Sequence, residues 1–392
     1  MSDSVTCTRK SEDGCRLHAR RKLRLEHPAD CIYLNKRDQR HFGVGLYCLE
    51  NADSQHRIGG ISIYDIEPAL STPKDDIGLL KSGSEGCGQH AHLGLEPKFY
   101  MDAESGVVNF EWDPESGGSG ESESTHITCL CSDKSLKLFQ IDSGFSSYKL
   151  LSSVKPSTID SNNQIIGLDL SCIYLNNSRK TCYSISDGRV FVVCDSELVE
   201  SEFYAHPNTE VWTVSFLDQE GNHLATGADD CTLSLWDLRT SCLDGPVAQN
   251  RKTHSMGVTC IQKSNKCDQF WTGCYDETLR LWDSRRLNSP VYEHKVHGGV
   301  WRISQFEGYL GMALCYFGIE YLQLDPNQHV EKQAISLPNC PQNELSHHSI
   351  VYGIDTFRKN NLLYGLSCSF YDKTALIFQI QEVSPMSTLP PL

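Results

Sequence analysis

The sequence predicts an all-β chain, one closed propeller of seven four-stranded blades joined by long flexible loops. Three observations carry that expectation. Two segments repeat almost residue for residue, weaker copies recur along the chain, and the length fits. Seven units of about 43 residues need roughly 300 of the 392 positions, leaving ~90 for insertions.

The two clear copies are Gly227-Ala-Asp-Asp-Cys-Thr-Leu-Ser-Leu-Trp-Asp237 and Gly273-Cys-Tyr-Asp-Glu-Thr-Leu-Arg-Leu-Trp-Asp283. Their turn aspartates, Asp230 and Asp276, lie 46 residues apart, and a histidine precedes each: His206 by 24 residues and His254 by 22. This is a WD-repeat signature, in which His, turn Asp and Trp share one hydrogen-bonded network per blade. In order along the chain, residues 1–14 are expected to be disordered. Residues 15–25 alternate apolar and basic side chains and suit an edge strand that closes the ring against the last blade. A first unit ends in Ile58–Asp65. Further copies run over Cys131–Phe139, Ser186–Val193 and Phe370–Phe378, each with an apolar residue six positions after its Asp (Asp133, Asp187 and Asp372). A degenerate unit, Cys315–Leu322, lacks the Asp. Residues 67–100 and 113–126 are rich in Gly, Ser and Glu and read as flexible insertions. The propeller is expected over 15–382, with a tail at 383–392.

Composition narrows the function. With 35 Lys+Arg against 50 Asp+Glu, the net charge of −15 disfavours nucleic acid and favours a basic partner. No apolar run reaches the ~20 residues of a membrane span, and the first residues form no secretory signal. The eighteen cysteines are irregularly spaced, with no CxxC pair, so they read as reduced core thiols of a cytoplasmic protein and not as metal ligands. Asn176-Asn-Ser178 is therefore not a glycosylation site, and the basic residues of 16–24 are strand protection before they are a nuclear address. No G-x-S-x-G elbow, phosphate-binding Gly loop or H-E-x-x-H motif is present. A propeller by itself does not assign a function.

Five segments taken together go further. They are His254-Ser-Met-Gly-Val-Thr-Cys-Ile-Gln262, Gly273-Cys-Tyr-Asp-Glu277, Gly298-Gly-Val-Trp-Arg302, Val351-Tyr-Gly-Ile-Asp355 and Ser367-Cys-Ser-Phe-Tyr-Asp372, with Glu210-Val-Trp212 behind His206. Over roughly residues 200–380 this order resembles the diphthine methyltransferase-like WD-repeat family. The resemblance implies a carboxylic-ester hydrolase. It would remove the methyl ester from methylated diphthine on translation elongation factor 2, before the amidation that completes diphthamide. It implies no cofactor and no metal.

That substrate carries a quaternary ammonium, which aromatic faces hold at ~0.5–2 kcal/mol per contact. Trp212, Trp301, Tyr352, Tyr275 and Tyr371 are the candidate aromatic residues, with Glu210 as counter-charge. Ester hydrolysis also needs a base and donors for the oxyanion. Arg302 and the backbone of Gly298 and Gly299 are candidate donors; His254, His297 and His348 are candidate bases. Against this, His206, His254 and His348 precede turn aspartates and read first as blade histidines, as Asp230, Asp276 and Asp372 read as structural. His297 stands apart because Tyr316 replaces its turn Asp. The competing reading is a non-catalytic substrate receptor. Trp236-Asp-Leu-Arg239 and Trp282-Asp-Ser-Arg285 resemble motifs that dock on cullin–RING ligase adaptors. A plain assembly scaffold is the third reading.

Overall fold

A computed structural model describes residues 16–51, 56–70, 95–113, 124–156, 158, 164–175, 178–195, 198–339 and 346–381. The predicted disordered start, the tail, most of both insertions and the Asn176-Asn177 pair lie outside the described residues. Seven four-stranded antiparallel sheets form the ring. Blade 1 comprises Ala29–Leu34, His41–Leu46, Gly60–Asp65 and Phe99–Asp102; blade 2 comprises Val107–Trp112, Thr125–Cys131, Leu136–Ile141 and Tyr148–Val154. Blades 3 to 6 are built from the described strands between Gly167 and Pro338, four consecutive strands apiece. Blade 7 takes Val351–Lys359, Leu362–Ser369 and Thr374–Gln381 from late in the chain and Arg16–Arg24 from early in it.

The first strands of successive blades pack side by side, and that of blade 7 closes on that of blade 1, leaving a central channel. Apolar residues alternate on both faces of each blade and fill the spaces between blades. Phe110, Trp271, Trp282, Tyr321 and Phe378 are among the largest buried side chains. The described ends of the insertions are ordered. Glu67–Leu70 is a short helix, Phe99–Asp102 is the fourth strand of blade 1, and Thr125 already begins a strand of blade 2.

Ring closure rests on the expected early strand. Arg16–Arg24 pairs antiparallel with Thr374–Gln381, from Arg16 opposite Gln381 to Arg24 opposite Thr374. Leu23 is buried, and Lys22 Nζ donates to the Ser346 carbonyl at 2.6 Å. Removing residues 1–25 would leave the last blade with three strands and an open apolar edge. We expect such a chain to melt well below the intact protein and to self-associate, readable by circular dichroism and size-exclusion chromatography.

The repeat histidines show how each blade is tied. In blade 4, His206 Nε2 and the Trp236 indole N–H meet the Thr226 hydroxyl at 2.8 and 2.9 Å, and His206 Nδ1 lies 3.2 Å from Asp230. In blade 5, His254 and Trp282 meet Thr272 in the same way, at 3.0 and 2.9 Å. Arg280, however, claims Asp276. Blade 7 departs from expectation: the histidine in this slot is His347, set between Ser367 and Thr374 at 2.8 and 2.9 Å. His348 is exposed and gives its backbone N–H to Asp372. The shared hydroxyl on the second strand had not been expected from the repeat pattern.

Burial, reinforced by Arg280, drives the His254 ring down to about 3, and burial drives His347 down to about 3 as well. Both are therefore neutral in the fold and protonate on unfolding below about 6.5. Their contribution is complete above that value and is lost as pH falls through the window from about 6.5 to 3. Thermal stability should thus drop between pH 7.5 and 5, and His254→Gln should flatten the dependence. Melting curves across that range test it.

Candidate functional site

One backbone irregularity recurs on the first strand of six of the seven blades. The register skips one residue between Ala29 and Cys31, Val107 and Asn109, Gly167 and Asp169, Val258 and Cys260, Val300 and Arg302, and Val351 and Gly353. A bulge of this kind frees one side chain from the ladder and re-aims it. The bulged residues are Asp30, Val108, Leu168, Thr259, Trp301 and Tyr352. In blade 4 the same place, just before the strand Thr213–Phe216, belongs to Trp212, because the Glu210 carbonyl receives Asp229 N–H as the Gly257 carbonyl receives Tyr275 N–H. Seven residues thus form one layer at the channel end where the first strands begin.

Four of the five aromatic candidates come together there. The rings of Trp212 and Trp301 are 5.6 Å apart, and those of Trp301 and Tyr352 are 5.0 Å apart. Tyr352 continues to Tyr371 at 6.4 Å. Thr259, between Trp212 and Trp301, is small and turns its hydroxyl onto the Gly273 and Val300 carbonyls, so the two indoles meet across it. Phe370 and Tyr47 extend the arc at 5.2 and 5.7 Å, and Arg57 holds the Tyr47 hydroxyl at 2.6 Å. Tyr275 lies beside Gly299 on the same face, but its hydroxyl engages Cys315 and Tyr316 instead of the arc. Gly298 is packed on the Cys315 carbonyl, where a Cβ would approach to 2.7 Å, and Gly299 gives its carbonyl to Cys315 N–H.

Directly below, Arg302 of blade 6 reaches across the channel to Asp169 of blade 3, with Nη1 2.8 Å from Oδ1. The pair is largely enclosed, with 15% and 6% of the side chains exposed. Asp169 also accepts from Asn109 Nδ2 at 2.7 Å and from Val214 N–H at 3.2 Å. Arg302 Nε is buried and meets no acceptor. This bridge forms a floor. On its far side the channel widens into a cavity of about 470 Å³ reached by Tyr33, Glu111, Gln262 and Lys263. Burial pushes the Glu111 carboxyl up to about 7 there, although Cys172 N–H donates to it.

The acidic groups at the arc differ from the expected one. Asp229, not Glu210, meets the Trp212 indole N–H, at 3.1 Å. Glu210 is half-buried and engages the arc's border through its backbone carbonyl. Asp30 was not singled out in the sequence at all. Burial pushes its carboxyl up to about 7, with Arg302 restraining the rise and Asp169 adding to it. Its charge is felt by Tyr47 and Tyr352, which places it between the arc and the floor.

The described ring contacts of His254 and His297 lie outside this layer. His254 is enclosed in its blade, where protonation is strongly opposed. His297 does have a partner, contrary to expectation: the fully buried Glu320 of the third strand of blade 6 replaces the missing turn Asp, 3.0 Å from Nδ1. Half of the His297 side chain is exposed and its ring stacks on Phe317, so its described ring contacts lie outside the arc. Arg239 and Arg285 fold back onto Asp237 and Asp283, at 2.7 and 2.6 Å, at the far ends of their strands from the turn aspartates. Among the described residues no helix is long and apolar enough to cross a membrane.

Comparison with known proteins gives two findings. The pattern of the WD domain, G-beta repeat, matches residues 197–237 and 246–283. A Dictyostelium discoideum protein named diphthine methyltransferase homolog is 27% identical over 70% of this chain and 76% of its own length. The Schizosaccharomyces pombe protein named diphthine methyltransferase is 25% identical over 56% of this chain and 65% of its own length. The Homo sapiens protein of that name is 33% identical, over 37% and 32% respectively. This chain thus spans under two thirds of the fission-yeast relative and about one third of the human one.

Proposed function

These relatives and repeats support a diphthine methyltransferase-like WD-repeat family for this chain, and from that premise we propose that it is a carboxylic-ester hydrolase. Its substrate in this reading is the methyl ester of methylated diphthine on translation elongation factor 2, met in the cytoplasm. The methyl group leaves as methanol, the acyl group passing to water. The observation that carries the reading is the arc of Trp212, Trp301 and Tyr352 set over a buried arginine. The arc offers π faces to a trimethylammonium, and Asp229 beside Trp212 supplies negative charge at its rim. Arg302 lies where a carbonyl lowered between the rings would develop charge, and a buried guanidinium stabilises an oxyanion without reorganising. The net charge of −15 favours approach of a basic partner surface.

The deciding experiment measures methanol release from methylated diphthine on purified elongation factor 2, with chelator present. Release is expected, unchanged by the chelator. Tight binding without release would overturn the hydrolase reading in favour of a receptor.

A further inference from the structure

We propose that Asp30 is the general base of this site, drawing a proton from the water that attacks the ester carbonyl. The assignment rests on the hydrolase reading and names the one group which that reading lacks. Asp30 stands at the bulge that in blades 6 and 7 carries Trp301 and Tyr352, so the backbone device that builds the cation-holding arc also delivers this carboxyl to it. Blade 7 adjoins blade 1 around the ring, which puts Asp30 next to Tyr352.

The other acids of the channel are committed. Asp169 accepts from Arg302, Asn109 and Val214 N–H. Asp355 accepts from Leu34 N–H, Thr356 N–H and Ser304. With these donors in place, neither carboxylate has an oxygen left to receive a proton from an attacking water. Glu111 lies beyond the Arg302–Asp169 floor, bonded to Cys172 N–H. At Asp30, which is half-buried, no donor among the described residues is hydrogen-bonded to the carboxyl, so the oxygens are not claimed by the protein. The groups that face it are Arg302 and Asp169 from the floor, Tyr47 and Tyr352 from the arc, and the thiols of Cys31 and Cys368. Burial foremost, restrained by Arg302 and reinforced by Asp169, raises the carboxyl to about 7, where a base both exists in its charged form and accepts a proton readily.

The step is complete without a further reactant. The Asp30 carboxylate takes one proton of water while the oxygen bonds to the carbonyl carbon, giving a tetrahedral oxyanion opposite Arg302. Collapse breaks the bond to methoxide, which takes that proton from Asp30 and leaves as methanol. The new carboxylic acid releases its own proton to solvent.

Methanol release by wild type, Asp30→Asn and Asp30→Glu, measured from pH 5.5 to 8.5 beside melting curves, tests this. We expect wild-type kcat to rise to a plateau with a midpoint near 7. Asp30→Asn should lower kcat by about 10²–10⁴-fold with KM within about twofold, and abolish the rise. Asp30→Glu should keep part of the rate with a displaced midpoint. Full kcat in Asp30→Asn, or a loss confined to KM, overturns the assignment while the hydrolase reading stands. Should Asp30→Asn fail to fold, an unshifted midpoint and unchanged kcat in Asp30→Glu overturn it equally. A wild type that releases no methanol overturns the hydrolase reading first, and the base with it.

Discussion

Arg302→Ala is expected to stop turnover and to destabilise the ring at once. The guanidinium spans the channel to a carboxylate that is itself almost fully enclosed. Deleting it leaves Asp169 charged and buried, with only Asn109 and Val214 N–H as donors. Breaking one side of such a pair costs about 3–5 kcal/mol, far more than the pair adds over an apolar replacement. The catalytic share is separate: loss of an oxyanion donor lowers kcat by about 10²–10³-fold. The double variant Arg302→Met, Asp169→Asn separates the two, because it removes both charges while keeping the bulk. Its melting temperature should return toward wild type while methanol release stays lost. Recovery of activity in the double variant would show that Arg302 acts only as a strut.

Trp301→Ala is expected to act on binding. Trp301 is the middle ring of the arc, touching Trp212 on one side and Tyr352 on the other. Loss of one desolvated cation–π contact, with its neighbours loosened, is worth up to about 2 kcal/mol, or roughly 30-fold in KM for the quaternary substrate. kcat should change little, and Trp301→Phe should keep part of the affinity. A model ester with a neutral tert-butyl group in place of trimethylammonium makes the test specific. Wild type should discriminate strongly between the two, and Trp301→Ala should not. Equal discrimination in both proteins would place the cation elsewhere.

The ring was legible because each blade advertises itself locally. Asp230 and Asp276 with their tryptophans mark two turns, and Asp133, Asp187 and Asp372 mark three more by the apolar residue six positions on. The arc was half legible. Trp212, Trp301 and Tyr352 each lie in a recognisable segment, but their meeting depends on the strand starts and on the curvature of the ring, which bring together residues 140 positions apart. Asp30 left no trace, since blade 1 carries no repeat signature near it and an acidic residue after Pro28-Ala29 reads as an ordinary loop acid. Only comparing the bulge of its strand with those of the other first strands that have one assigns it to the layer of Trp301. Glu210 and Asp229 illustrate a finer limit. Both border Trp212 and are tied to each other by the bond from Asp229 N–H to the Glu210 carbonyl, yet it is Asp229 that meets the indole, and the sequence pattern does not distinguish the two. His297 misled for a similar reason: its partner moved from the turn to Glu320, four residues past Tyr316 and on the next strand.

The seam of blade 7 also sets a timetable for biosynthesis. The strand 16–24 leaves the ribosome some 350 residues before the strand it pairs with. At about 5–20 residues per second that is a wait of roughly 20–70 s. Throughout it, an apolar-and-basic segment has no native partner while six blades form behind it. Its four arginines and one lysine outside the apolar positions repel copies of itself on neighbouring nascent chains, so the charges that mark an edge strand in the finished ring guard against misassembly before the ring exists.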